Sequence, residues 1–155
     1  MKHRPSLVVI NIVGLTPSLL GEHTPHLNRL VNEGFLATME GVFPAVTCTA
    51  QSTMLTGLQP KEHGIVGNGW YFRDLAEIGF WRQSNRLVQG RKIWETAREL
   101  LPGFSAANLF WWYNMYSSVD YSVTPRPIYP ADGRKIPALY SDPGELEAML
   151  VEALG

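Results

Sequence analysis

The 155-residue chain is 45% hydrophobic and 17% charged, a balance that offers enough apolar surface to offset the entropy of folding and excludes a disordered or low-complexity tail. Thirteen basic and fourteen acidic side chains leave a net charge of −1, which supplies no field for nucleic acid or an anionic membrane surface. The single cysteine, Cys48, has no internal disulfide partner, which points to a reducing, cytoplasmic compartment.

Residues 6–13 (SLVVINIV) are β-branched and aliphatic without alternation, the pattern of a strand covered on both faces in a parallel sheet, ending at Gly14. Lys2 and Arg4 precede it, but the apolar run is short, contains Asn11 and leads into no small-residue cleavage pattern, so it reads as a strand and not a signal peptide. No stretch approaches the ~18 consecutive apolar residues of a membrane span. Thr24-Pro25 opens a short helix carrying Leu27, Leu30 and Val31 and stopped by Gly34. Residues 35–43 read as extended, 47–56 as a helix closed by Gly57, and 65–66 as the start of a short segment. Residues 68–88, with Trp70, Tyr71, Phe72, Phe80 and Trp81 among polar neighbours, suit a hairpin or irregular cap. A helix over 92–101 has the stripe Ile93, Ala97, Leu100 and Leu101. Residues 105–113 (SAANLFWWY) read as a buried strand, and 122–134, with three prolines and Asp132-Gly133, as a loop. A last helix starts at Asp142-Pro143, with Leu146, Met149, Leu150 and Ala153 on its apolar side. Strands alternating with helices predict an α/β sheet whose ligands sit beyond the carboxyl ends of strands. Neither glycine-rich phosphate-loop pattern is present.

The most informative stretch is 42–57 (VFPAVTCTAQSTMLTG), where an extended segment with Pro44 gives way to a helix at Thr47. The Thr47 hydroxyl has two readings, which are compatible: an N-cap, or a nucleophile at the positive end of a helix beside unpaired N–H groups that hold a phosphoryl oxygen. A threonine hydroxyl is a weak nucleophile at neutral pH, and no histidine or carboxylate is near it in sequence, so a metal ion is the natural activator. Metal ligands belong at strand ends, where Asn11 stands.

The succession Gly14-Leu15-Thr16-Pro17, Thr24-Pro25-His26-Leu27, Phe43-Pro44-Ala45-Val46-Thr47 and Leu55-Thr56-Gly57-Leu58-Gln59-Pro60-Lys61-Glu62-His63-Gly64-Ile65 resembles the type I phosphodiesterase/nucleotide pyrophosphatase proteins of the alkaline phosphatase superfamily. Later stretches, 72–86, 110–116 and 123–137, are similar to a bacterial, alkaline-phosphatase-like subgroup. The resemblance implies a three-layer α/β sandwich of the alkaline phosphatase type with a mostly parallel central sheet. It also implies two divalent metals, zinc, and a threonine matching Thr47 that attacks phosphorus, forms a covalent intermediate and ligates one metal. The first metal ligand falls on the strand end, where Val13 occupies the acidic slot and Asn11 is the available donor. An asparagine three residues after the nucleophile is replaced by Ala50, and Gln51 is placed to hold the substrate instead. The implied downstream ligands include histidines, yet none follows His63. The chain therefore reads as the N-terminal portion of a larger catalytic domain, inactive by itself, with about 68–90 and 114–140 as cap or loop insertions. The implied substrate is a small phosphodiester, pyrophosphate or nucleotide.

Other residues have plainer readings. His63 shapes a turn, His26 faces solvent and Cys48 is a small buried side chain. The aromatics Phe110, Trp111, Trp112, Tyr113 and Tyr116 pack a strand, with one ring free to line a pocket. Arg126, Arg134 and Lys135 belong to a solvated loop. Two rivals remain: another hydrolase or a phosphomutase of the superfamily, and a non-catalytic nucleotide- or partner-binding protein. A sulfatase setting is disfavoured because Cys48-Thr49-Ala50-Gln51-Ser52 lacks the required arginine.

Overall fold

A computed structural model describes residues 7–154, and the chain divides into two compact units, one ending at Glu40 and one beginning at Gly41. In the first unit, residues 7–13 enter no sheet, and Leu7, Val8, Ile10 and Val13 are largely exposed. This corrects the expected buried strand, whose first residue lies outside the described residues. A strand buried on both faces needs neighbours, and among the described residues of this unit there is no other strand to pair with it. Gly14 turns the chain at φ 81°, and α1 follows at Pro25–Glu33 with Pro25 in its first turn and Gly34 after its end. Thr24 holds the N-cap position, but its hydroxyl turns back to Gly21, accepting from the Gly21 N–H at 2.9 Å.

The second unit begins with α2 (Thr47–Thr56) and the short α3 (Pro60–His63). Gly57, at φ 70°, ends α2 in the left-handed conformation and returns its N–H to the Thr53 carbonyl at 2.8 Å. Pro60 starts α3, and the Glu62 carboxylate accepts the Gln59 N–H at 2.9 Å. Next comes the antiparallel hairpin β1 (Gly69–Phe72) and β2 (Glu77–Phe80), as the aromatic-rich composition suggested. Gly69 faces Phe80, and a Cβ there would lie 2.3 Å from the Phe80 ring, so only glycine admits the ring.

Helix α4 (Ile93–Leu100) follows, with the Lys92 N–H held by Glu95 at 2.9 Å. Its expected apolar stripe is corrected: Ile93, Leu100 and Leu101 are exposed, and the buried residue is Trp94. An indole removes more area from water than the aliphatics do, provided its N–H finds a partner, and Trp94 donates to the Ser118 hydroxyl at 2.9 Å. Beyond α4, β3 (Ala107–Leu109), β4 (Tyr121–Pro125) and β5 (Leu139–Asp142) form one sheet in that order, β3 parallel and β5 antiparallel to β4. The strand expected over 105–113 is thus cut short, because Phe110 enters the left-handed region at φ 62° and ends the ladder. The expected loop over 122–134 contains the central strand: Ser122, Val123 and Thr124 are buried, and Pro125 only closes the strand. Helix α5 (Leu146–Leu154) begins later than expected, since Asp142 belongs to β5; Leu146 is buried, whereas Met149 is exposed.

The architecture is α/β, with one antiparallel hairpin and one mixed sheet. The core of the second unit gathers Cys48, Ile65, Val88 and Tyr113, with Trp70, Leu87 and Trp112 packed against it. The first turn of α2 therefore rests directly on the core, which fixes what stands at its start.

Candidate active site at the start of helix α2

Val46, extended at φ −117° and ψ 159°, takes the N-cap position, and Thr47 is the first helical residue. The capping reading of Thr47 is corrected accordingly. An N-cap needs a non-helical backbone, and the β-branched Val46 already supplies one. The Thr47 hydroxyl is half-buried and makes no hydrogen bond among the described residues, so it is available for chemistry at the positive end of a helix.

Two amide side chains meet this turn. Asn68 accepts the Cys48 N–H at its Oδ1, 2.9 Å away, and so caps the helix from outside, while its Nδ2 has no partner among the described residues. Gln51 lies one helical turn after Thr47 on the same face; it is buried, and its Oε1 accepts the Trp112 N–H at 2.7 Å. Reading the sequence missed Asn68. Its place in the sequence, three residues past Ile65 and just before an aromatic strand, carried no signal of the contact with Cys48, which lies 20 residues away along the chain. Asn11 lies in the first unit, exposed, with its side chain unengaged among the described residues.

Beneath the turn, the neighbouring groups are structural. Cys48 is fully buried and free, and burial pushes its thiol up to about 11, with the Tyr113 hydroxyl pulling weakly the other way. His63 is fully buried: its Nδ1 accepts the Ile65 N–H at 3.1 Å, which leaves the proton on Nε2 to donate to Thr53 Oγ at 3.0 Å. That pair locks α3 to α2, consistent with the turn-shaping reading, and desolvation holds the imidazole below its ordinary value. Arg134 is engaged by Asp132 at 2.7 Å, and Lys135 lies over the Tyr129 ring at 5.8 Å.

The arrangement can hold an anionic tetrahedral group. The first turn of α2 carries the Thr47 hydroxyl and the capping Asn68 amide, and among the described residues no carboxylate is hydrogen-bonded to that turn to repel an anion. Among the described residues no cluster of three or more histidine, cysteine, aspartate or glutamate side chains forms a metal-binding group. By themselves these residues do not build a metal centre, and Thr47 offers at most one oxygen ligand.

The sequence that sets a threonine at a helix start, followed by the Thr56 to Ile65 turn run, matches a known family. The family model of type I phosphodiesterase / nucleotide pyrophosphatase matches residues 7–148, and the chain belongs to that family. Venom phosphodiesterase 2 of Crotalus adamanteus is 34% identical over 93 residues, covering 56% of this chain and 11% of that protein. Ectonucleotide pyrophosphatase/phosphodiesterase family member 3 of Rattus norvegicus is 28% identical over 92 residues, covering 56% of this chain and 10% of that protein. The chain thus spans about a tenth of the length of these curated relatives. No solved structure matches it. No helix among the described residues is long and apolar enough to cross a membrane.

Proposed function

We propose that this chain carries the nucleophile of a phosphodiester or pyrophosphate hydrolase acting on small phosphate esters or nucleotides. The observation that carries the reading is the free Thr47 hydroxyl on the first turn of α2, beside the Asn68 amide. The Thr47 oxygen attacks phosphorus, the P–O bond to the leaving group breaks, and the retained organic phosphate stays as an ester on Thr47. Water then cleaves that ester. Negative charge gathering on the non-bridging oxygens meets the helix N–H groups, the Asn68 Nδ2 and the Gln51 Nε2.

Asn11 and Thr47 are this chain's proposed contributions to two divalent metals, zinc, which would lower the pKa of the attacking hydroxyl. Because the residues described here do not assemble a metal centre, no step above is routed through one. We place residues 1–155 in the N-terminal portion of an alkaline-phosphatase-type three-layer sandwich with a mostly parallel sheet, with about 68–90 and 114–140 as cap or loop insertions, in a cytoplasmic protein of bacterial type. In the complete protein, Thr47→Ala is expected to lower turnover of a chromogenic phosphodiester by at least a thousandfold (~10³) with an unchanged circular dichroism spectrum. Undiminished turnover would remove Thr47 from the mechanism. Zinc content measured on Asn11→Ala tests the ligand assignment, with a loss of bound metal expected.

A further inference from the structure

Tyr113 combines two features that folding resists. It sits at φ 55°, in the left-handed region where a Cβ crowds the backbone, and its hydroxyl is buried without a partner in hydrogen-bond geometry among the described residues. Glycine would remove the first and phenylalanine the second. The residue is 1% exposed, so water relieves neither. It packs in one core cluster with Cys48, and its hydroxyl is close enough to the Cys48 thiol for each to act on the other's ionisation. Cys48 is thus held from two sides, its N–H by Asn68 and its side chain by Tyr113, and the residue before it is Thr47. The backbone around Tyr113 is tied down step by step. The buried Asn85 donates from Nδ2 to the Tyr113 carbonyl at 2.8 Å and from its N–H to the Met115 carbonyl at 2.8 Å. Between those two carbonyls the fully buried Asn114 side chain donates to the Asn108 carbonyl at 2.6 Å and to the Val123 carbonyl at 2.9 Å, which ties the segment to β3 and β4. A left-handed tyrosine persists only where its surroundings over-determine it.

We propose that Tyr113 is a positioning residue for the nucleophile, a strut braced by Asn85 that fixes Cys48 and through it the place of the Thr47 hydroxyl. The proposal rests on Thr47 being the nucleophile. The ring is the working part of the strut, because the hydroxyl has no full hydrogen bond to hold it. Attack on phosphorus depends steeply on where the attacking oxygen stands, and a displacement of about 1 Å lowers such a rate by up to about a hundredfold. A side chain that touches neither substrate nor Thr47 itself can therefore govern the rate by holding the adjacent residue still.

The test follows p-nitrophenol release from a p-nitrophenyl phosphodiester in a single turnover, with the complete protein in saturating excess. That rate constant reports the attack step and does not depend on what fraction of the protein is folded, so long as folded protein stays in excess. Tyr113→Leu is expected to lower it at least about tenfold, and Tyr113→Phe, which keeps the ring, is expected to restore the native value. Asn85→Ala is expected to lower it as well, and the double variant Asn85→Ala with Tyr113→Leu is expected to fall no further than Tyr113→Leu alone, since both act through one strut. A native rate in Tyr113→Leu, a loss in Tyr113→Phe as large as in Tyr113→Leu, or losses that multiply in the double variant overturn the proposal. Should Tyr113→Leu not fold, Asn85→Ala decides, and a native rate there overturns the strut. If the ester forms on Thr47 at equal rates in all variants, the strut fails and the Thr47 reading stands; if p-nitrophenol is released with no ester on Thr47, the Thr47 reading fails and the strut with it.

Discussion

The adjacent residues Thr47 and Cys48 show how one helical step separates an available group from an inert one. Thr47 leaves its hydroxyl free, whereas the Cys48 thiol is fully buried and pushed up to about 11, so almost none of it is thiolate at neutral pH. Labelling of the native protein with iodoacetamide at pH 7.5 is expected to leave Cys48 unmodified over hours, with full labelling after denaturation. Rapid native labelling would contradict the packed core. At Asn68 the Oδ1 caps the helix, and the Nδ2, without a partner among the described residues, is the group proposed to meet the substrate. Asn68→Asp keeps the cap but replaces a donor with a negative charge beside an anionic substrate, so kcat/KM of the complete protein should fall at least about a hundredfold with little change in stability. A variant as active as the native protein would remove Asn68 from the site.

The elements around the site depend on a few backbone positions. Gly57 ends α2 at φ 70° with nothing near its missing Cβ, so Gly57→Ala is expected to cost about 1 kcal/mol from backbone strain alone, read from urea denaturation. Gly69→Val would drive side-chain atoms into the Phe80 ring, and is expected to loosen the hairpin that carries Trp81. Much at this scale was legible in the sequence, because caps and stops are local signals: Thr24-Pro25 opens α1, Gly34 and Gly57 end helices, and the motif run places α2 with Thr47 at its start. What was not legible depended on partners distant in the chain. Residues 122–124 form the central strand because β3 and β5 flank them, although Pro125, Pro127 and Pro130 just after them argued for a loop. Trp94 displaces the aliphatic stripe because Ser118 offers its indole a hydrogen bond. Asn68 joins the site through folding back onto Cys48, which no spacing along the chain announces.

For the molecule as a whole, acid sensitivity follows in part from two of the depressed groups, His63 and Asp120. His63 is neutral in the fold and held below its ordinary 6.5, chiefly by desolvation. Above that value the imidazole is neutral in both folded and unfolded chains. As the pH falls below it, the unfolded chain takes up a proton that the folded chain resists, so stability declines through the depressed folded value. Asp120 is held below its ordinary 3.8, first by the Ala106 N–H and then by Arg98. Its contribution is present above 3.8 and is lost as the pH falls through the lower folded value. Urea midpoints are therefore expected to decline below about pH 6.5, and His63→Phe is expected to flatten that first decline, at the cost of the Thr53 hydrogen bond. An unchanged slope would assign the decline elsewhere. The central claim, that Thr47 becomes covalently bonded to phosphorus, is tested most directly by acid-quenching the complete protein during turnover of a p-nitrophenyl phosphodiester and mapping the adduct by mass spectrometry. The expected result is a phosphate ester on Thr47 carrying the retained organic group; an adduct on another residue, or none under conditions where turnover is rapid and release of the second product is slow, would contradict it.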